Sequence, residues 1–394
     1  MWNASPAGAD PVVAQAAPAA APAPSPSPSP TPPPHLLQVS GYADAGYTSA
    51  SIASAVGTPG GSMISGRVFD TLNQQIQFHN FNLQAAYNGP IGGKIEASFG
   101  DDANVINSYP KNTFAPNTEI DITQAYLQGI SGQFTGIVGK FETLAGAEVI
   151  ESPSDIEFSR SILFGYAVPF THTGGRLTWA MNSNLSFIAG VNRGWDTTWS
   201  ESNSPFAYVD TSSLTFEGGA AWNPSKAFSA TLQGYDGQVE EGFAVATPPL
   251  PALPTRPVRS LIDTVLTLHA TSALTFILNG DAGQQTNSFL SNGTIGTGTW
   301  SGLAGYASYA LSGLWTVSAR GEYFGDNGGL RTGISQKWTE ATLTAAYAPN
   351  SNIIVRGEIR GDKSNQPFFS TGGVAPNFYK TNAQFGIETI VKWP

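Results

Sequence analysis

The chain has no cysteine, which excludes disulfides, thiolate nucleophiles and Cys-ligated metals. It has no run of about 18 apolar residues, which excludes a membrane-spanning helix. Charged residues make up 12 %, about half of the ~25 % found in soluble domains. The four histidines, His35, His79, His172 and His269, are far apart and show no metal-ligand spacing. The formal charge of −10 comes without any block of like charge, so nucleic acid is not an expected partner. No Gly-rich nucleotide loop leads into a helix, and no stretch carries helical periodicity long enough to hold one. No cofactor or metal is expected.

The start of the chain, Met1 to Asp10, has neither a basic segment nor an apolar core of the signal-peptide kind. Ala14-Gln15-Ala16 has the small-x-small form of a cleavage site. The reading as part of an alanine-rich tract is preferred.

Glycine is abundant at 44 residues, aromatics reach 11 %, and the mean hydropathy is only −0.10. A transmembrane β-barrel has this composition, because its apolar residues are spread along alternating strands with one face to lipid and one to water. The chain divides in two. Residues 1–35 are dominated by Ala, Pro and Ser and cannot bury a core, so an extended, disordered tail is expected. At ~3.1 Å per residue its Pro-rich stretch would reach on the order of 60 Å. That length would permit contact with the cell wall, and a plain leader has the same composition.

Residues 36–394 are expected to form an all-β domain, a transmembrane antiparallel barrel. Runs of alternating character recur, bounded by Gly, Asn, Ser and Pro. Ile95, Ala97 and Phe99 oppose Lys94, Glu96 and Ser98; Ile353, Val355 and Ile359 oppose Arg356, Glu358 and Arg360. About sixteen such runs begin near Leu37, Leu72, Gly92, Glu119, Gln133, His172, Asn184, Ser212, Lys226, Ser260, Ala273, Thr299, Leu314, Gln336, Asn352 and Lys380. Short turns such as Asn88-Gly89-Pro90 and Leu311-Ser312-Gly313 alternate with longer polar loops. This is the rhythm of periplasmic turns and extracellular loops. Trp179, Trp195, Trp199, Trp222, Trp300, Trp315, Trp338 and Trp393, with Tyr87, Tyr323 and Tyr347, fall near run ends. They are expected to form interfacial girdles.

One stretch is more specific. Gly139-Lys140-Phe141 is followed by Gly146-Ala147-Glu148, Phe158-Ser159-Arg160-Ser161 and Pro169-Phe170-Thr171-His172-Thr173-Gly174. This stretch, about residues 137–176, resembles the OmpL-like family of outer-membrane β-barrel porins. The resemblance implies an outer-membrane location and passive transport. It makes membrane lipid and small hydrophilic solutes the expected partners, and it admits a homotrimer. Phe385, Ile387, Thr389, Val391 and Trp393 share one face of the last run, but the chain ends on Pro394 rather than on an aromatic.

The longest connection inside the barrel, about Thr143 to Thr171, is the third long loop. It carries Glu148, Glu151, Asp155 and Glu157, with Arg160 as its single basic residue. The resemblance implies that this loop folds into the lumen. Alternation turns Lys94, Lys140, Arg176, Arg320, Arg356 and Arg360 inward, together with Glu96, Glu217, Glu322 and Glu358. An acidic loop facing a basic wall across the lumen would create a transverse field that favours polar solutes. Asp155, His172 and Ser159 or Ser161 could be drawn as a hydrolytic triad, but a role in pinning the loop suits this segment better. No enzyme is therefore expected. The alternatives are a structural or adhesive barrel tethered through its Pro-rich tail, an outer-membrane lipase, and a soluble all-β protein.

Overall fold

The computed structural model describes residues 37–55, 62–107, 119–196, 214–239, 257–372 and 376–393. The tail, Trp199 and Pro394 lie outside the described residues.

Sixteen strands form one closed antiparallel barrel. They are β1 (Leu37–Ala50), β2 (Gln75–Tyr87), β3 (Ile91–Phe99), β4 (Ile120–Ser131), β5 (Phe134–Glu142), β6 (Thr171–Ala180), β7 (Leu185–Asn192) and β8 (Thr215–Ser225). The second half is β9 (Phe228–Gln238), β10 (Val258–His269), β11 (Leu274–Phe289), β12 (Ile295–Ala310), β13 (Trp315–Asn327), β14 (Gln336–Asn350), β15 (Ile353–Ser364) and β16 (Thr381–Trp393). Each strand pairs with its chain neighbours. Closure comes from β1 on β16, in a register running from Gly41 opposite Trp393 to Ala50 opposite Gln384. Closure leaves no open edge, so every strand satisfies its backbone groups against another strand, as a lipid surround demands.

The alternation sets the two faces. Ile76, Ile91 and Leu127 point outward and are 81 %, 80 % and 72 % exposed, which is the signature of a lipid-facing belt. Among the described residues the register shifts at five places, and two of these bulges, on β2 and β4, lie within the wall. Asp44 pairs with Asn80 while Ala45 pairs with Phe78, so His79 is the extra residue. His79 and Asn80 are consecutive, yet both are buried. Glu96 pairs with Gln124 and Ala97 with Ile122, leaving Thr123 as the second insertion. An inserted residue lets neighbouring side chains share one face.

Leu37 and Trp393 lie at the end that carries the short turns. Trp179, Trp222 and Trp315 stand on the outer face near those turns, and Trp315 packs 4.8 Å from Tyr347. They form one aromatic girdle. Trp195, Trp300 and Trp338 do not belong to it: all three are buried inside the barrel. Trp300 and Trp338 occupy inward positions on β12 and β14, and Trp195 follows β7 on a loop that packs inward. The expectation of uniformly long loops also fails once. Residues 290–294 join β11 and β12 tightly, because these strands of 16 residues each run on past their neighbours as a ribbon.

Candidate functional site: the third loop and the barrel wall

The third loop, residues 143–170, carries a 3-10 turn at Ser152–Ser154 and a short helix, α2 (Ile162–Tyr166). Ser161 caps α2, its hydroxyl accepting the Phe164 N–H at 3.0 Å, the usual duty of serine at a helix start. The loop lies inside the barrel. Ala145, Ile150, Ile162, Leu163, Phe164, Ala167, Val168 and Phe170 join one apolar cluster with the wall residues Tyr235, Leu261, Val265, Ile277, Trp300, Ala304, Tyr306, Phe324 and Trp338. The wall from β9 to β14 is therefore partly apolar on its inner face, which a purely polar-in alternation does not anticipate. Phe69 from the first loop, Ile106 from the second loop's helix α1 (Asp101–Ile106), Trp195 from the loop after β7 and Phe369 from the last loop complete the cluster.

Wall glycines make room for the loop. A Cβ on Gly386 would stand 2.7 Å from the Phe158 ring, and one on Gly46 would stand equally close. Phe158 thus sits in a notch that spans β1 and β16. A Cβ on Gly302 of β12 would meet Leu163 at 2.5 Å.

Two wall carboxylates hold the loop by its main chain. Glu322 on β13 accepts the N–H groups of Ile162 at 2.7 Å and Leu163 at 2.6 Å. Glu358 on β15 accepts those of Phe158 at 2.9 Å and Ser159 at 3.1 Å. A buried carboxylate needs such donors, and hydrogen bonds to a charged acceptor are the stronger kind. Sequence reasoning turned both residues inward without giving them this task. The signal was present as an alternating Arg–Glu–Arg series at positions 356, 358 and 360.

The expected basic wall meets the loop directly. Arg320 donates to Glu148 at 2.9 Å and to the Ser159 carbonyl at 2.7 Å, and it also pairs with wall Glu340 at 3.0 Å. Arg356 pairs with Glu388 at 2.7 Å and donates to the carbonyls of Ser152, at 3.1 Å, and Asp155. Arg360 pairs with Asp362 at 2.9 Å and donates to the Arg160 carbonyl at 2.8 Å. Opposite charges expected to face each other across water are here in contact. Their fields largely cancel beyond a few ångströms.

The remaining candidates also have partners. Arg160 pairs with Asp155 at 3.0 Å and lies 5.3 Å from the Phe69 ring centre, so it ties the loop to itself and to the first loop. Lys140 pairs with Asp121 at 3.0 Å and Arg176 with Glu217 at 2.8 Å, both within the wall. Arg176 also lies 4.4 Å over Phe141. Lys94 pairs with Glu96 at 2.6 Å and approaches Glu151 at 3.8 Å. Glu157 is 2 % exposed, and neither of its carboxylate oxygens accepts a hydrogen bond among the described residues. The adjacent Thr344 hydroxyl donates to Glu358 instead. Burial, then the Glu358 charge, pushes the Glu157 carboxyl up to about 7. Burial also raises Asp155 to about 7, against the pull of Arg160.

The paper triad is dispersed. Ser159 bonds to Arg320 and Arg360, Ser161 caps α2, and His172 stacks on Tyr235 at 4.8 Å.

A family model described as "Putative beta-barrel porin-2, OmpL-like" matches residues 36–393. The chain belongs to this family. The match spans the whole barrel and excludes only the tail and the last residue. As a member of a porin family with a closed sixteen-stranded barrel, the protein resides in the bacterial outer membrane. No curated protein matches this porin.

Solved structures share its fold at low identity. OmpT of Vibrio cholerae in a trimer form is 12 % identical with a TM-score of 0.58, over 91 % of this chain and 99 % of that one. The outer-membrane channel DcaP of Acinetobacter baumannii is 12 % identical with a TM-score of 0.57, over 91 % and 97 %. The anion-selective porin from Comamonas acidovorans is 9 % identical with a TM-score of 0.57, over 91 % and 99 %.

Proposed function

We propose that this porin lets small hydrophilic solutes and ions diffuse passively across the outer membrane, through a lumen that its third loop narrows. The observation that carries the reading is the third loop bound within the barrel, with Glu322 and Glu358 on its main chain and Arg320, Arg356 and Arg360 on its carbonyls and Glu148. A loop held by this many buried polar contacts is a fixed partition, and pore lining then decides what passes. The dispersal of Ser159, Ser161 and His172 into structural contacts supports a channel over a hydrolase. Purified, folded protein in planar bilayers should give discrete conductance steps, and proteoliposomes should swell in small sugars but not in large ones. Folded protein without conductance would overturn the reading.

One observation favours a second reading, a structural barrel. The apolar cluster of loops on β9 to β14 fills that arc of the lumen. A barrel closed by it would conduct nothing, so the same experiment separates the two. A homotrimer belongs to the proposal, since the similar OmpT is described in a trimer form; cross-linking in detergent tests it. For the tail, residues 1–35, contact with the cell wall is proposed on composition, the described chain entering the barrel at Leu37 on the short-turn side.

A further inference from the structure

A hydrated ion responds to charges it can approach. Two opposite charges buried in contact act on it only as a weak dipole. The paired charges of this barrel can therefore be ranked by exposure. Side-chain exposures are 7 % and 7 % for Lys140–Asp121, 5 % and 3 % for Arg160–Asp155, and 7 % and 0 % for Arg176–Glu217. They are 0 % and 0 % for Arg320–Glu340, 3 % and 1 % for Arg356–Glu388, and 2 % and 0 % for Arg360–Asp362. Among the described ion pairs, Lys94–Glu151 alone has both partners more than a tenth exposed, at 17 % and 18 %.

The surroundings of this pair fix its sign. Lys94 Nζ lies 2.6 Å from Glu96 and 3.8 Å from Glu151, so its charge is mostly engaged by Glu96. Glu96 is fully buried and takes further amide donors from Asn82 at 2.7 Å and Gln124 at 2.8 Å. Glu142, half-buried at the end of β5, offers a carboxylate oxygen within 4.8 Å of oxygens of Glu96 and Glu151. One ammonium thus stands among three carboxyl groups, of which burial, then the Glu96 charge, raises Glu151 to about 7. The group joins β3, β5 and the loop, across the barrel from the apolar arc of β9 to β14.

We infer that Lys94 and Glu151 set the ion preference of the pore and make it cation-preferring, while the buried arginines of β13 and β15 contribute little. This inference rests on the channel reading above. It also departs from the transverse-field picture, in which those arginines would dominate.

The test is the reversal potential of the wild-type porin and of E151Q and K94Q in planar bilayers under a KCl gradient. Heat-modifiable gel mobility confirms that each variant is folded. At pH 8, above the raised value of Glu151, wild type should favour K+ over Cl−. E151Q should lower the permeability ratio at least twofold, and K94Q should raise it by a similar factor. K363Q, at the outer rim of β15, should leave it unchanged. Conducting channels with the wild-type ratio in both E151Q and K94Q would overturn the inference and leave the channel reading standing. An anion-preferring wild type would also overturn it. Absence of conductance from folded wild type would instead remove the channel reading, and this inference with it.

Discussion

Glu358 on β15 accepts the main-chain N–H of Phe158 in the third loop at 2.9 Å. The same carboxylate accepts the Ser159 N–H at 3.1 Å. A wall residue therefore holds the loop without reading its side chains. Glu358→Ala removes the acceptor of two buried N–H groups, each charge-assisted bond being worth about 1.5–3 kcal/mol. The variant should unfold at lower temperature in detergent, and its single channels should be larger and noisier than wild type. Wild-type conductance and stability would show that Glu358 does not hold the loop.

Phe158 rests in the notch formed by Gly46 and Gly386. Gly386→Val places methyl groups where the ring lies, so the ring must leave. Phe158→Ala empties the notch, at a cost of about 3–5 kcal/mol for a buried phenylalanine. Both should make the loop cleavable by added protease under conditions where wild type resists. Resistance in both variants would deny the notch its role.

Protonation of Glu157 should tune loop docking. Its carboxyl is raised from 4.5 to about 7 when docked, by burial and by the neighbouring Glu358 and Glu340, with Arg320 opposing. A group raised in the docked state favours docking fully below 4.5, and that contribution fades as pH rises through about 7. The effect is bounded at about 3 kcal/mol. Channels should be smaller and steadier at pH 5 than at pH 8, and Glu157→Gln should flatten that dependence. An equally steep profile in Glu157→Gln would assign it to other groups.

Tryptophans on the two faces should report different solvents. In variants retaining single tryptophans, Trp179, Trp222 and Trp315 should be quenched by brominated lipid, being 38 %, 49 % and 45 % exposed on the outer face. Trp300 and Trp338, 2 % and 0 % exposed within the lumen, should not be. Strong lipid quenching of Trp338 would place β14 in the wrong register.

The barrel was legible in the sequence because a strand has a period of two. Leu83, Ala85 and Tyr87 must share a face wherever the strand is placed, and each short turn carries its own Asn, Gly, Pro or Ser signal. The expected starting points of the runs fall within four residues of the sixteen strands' first residues, the widest differences including β12, which begins at Ile295 rather than Thr299, and β2, which begins at Gln75 rather than Leu72. Facing direction was less legible for tryptophan. Trp300 and Trp315 both lie on β-strands, and only the pairing register places one in the lumen and the other at the lipid interface.

The third loop itself was legible as a length, an acidic composition and a family motif. Local sequence determined that inward charges exist, since Arg320, Glu322, Arg356, Glu358 and Arg360 alternate with outward residues. Only the tertiary structure decided which of them meet. Glu148 and Arg320 are 172 positions apart, and Phe158 and Glu358 are 200 apart. Electrostatic pairing depends on distances of a few ångströms, and no periodicity encodes the distance from a loop to a strand that far along the chain. Closure of the barrel brings them together, and burial then turns an open field into a set of paired contacts.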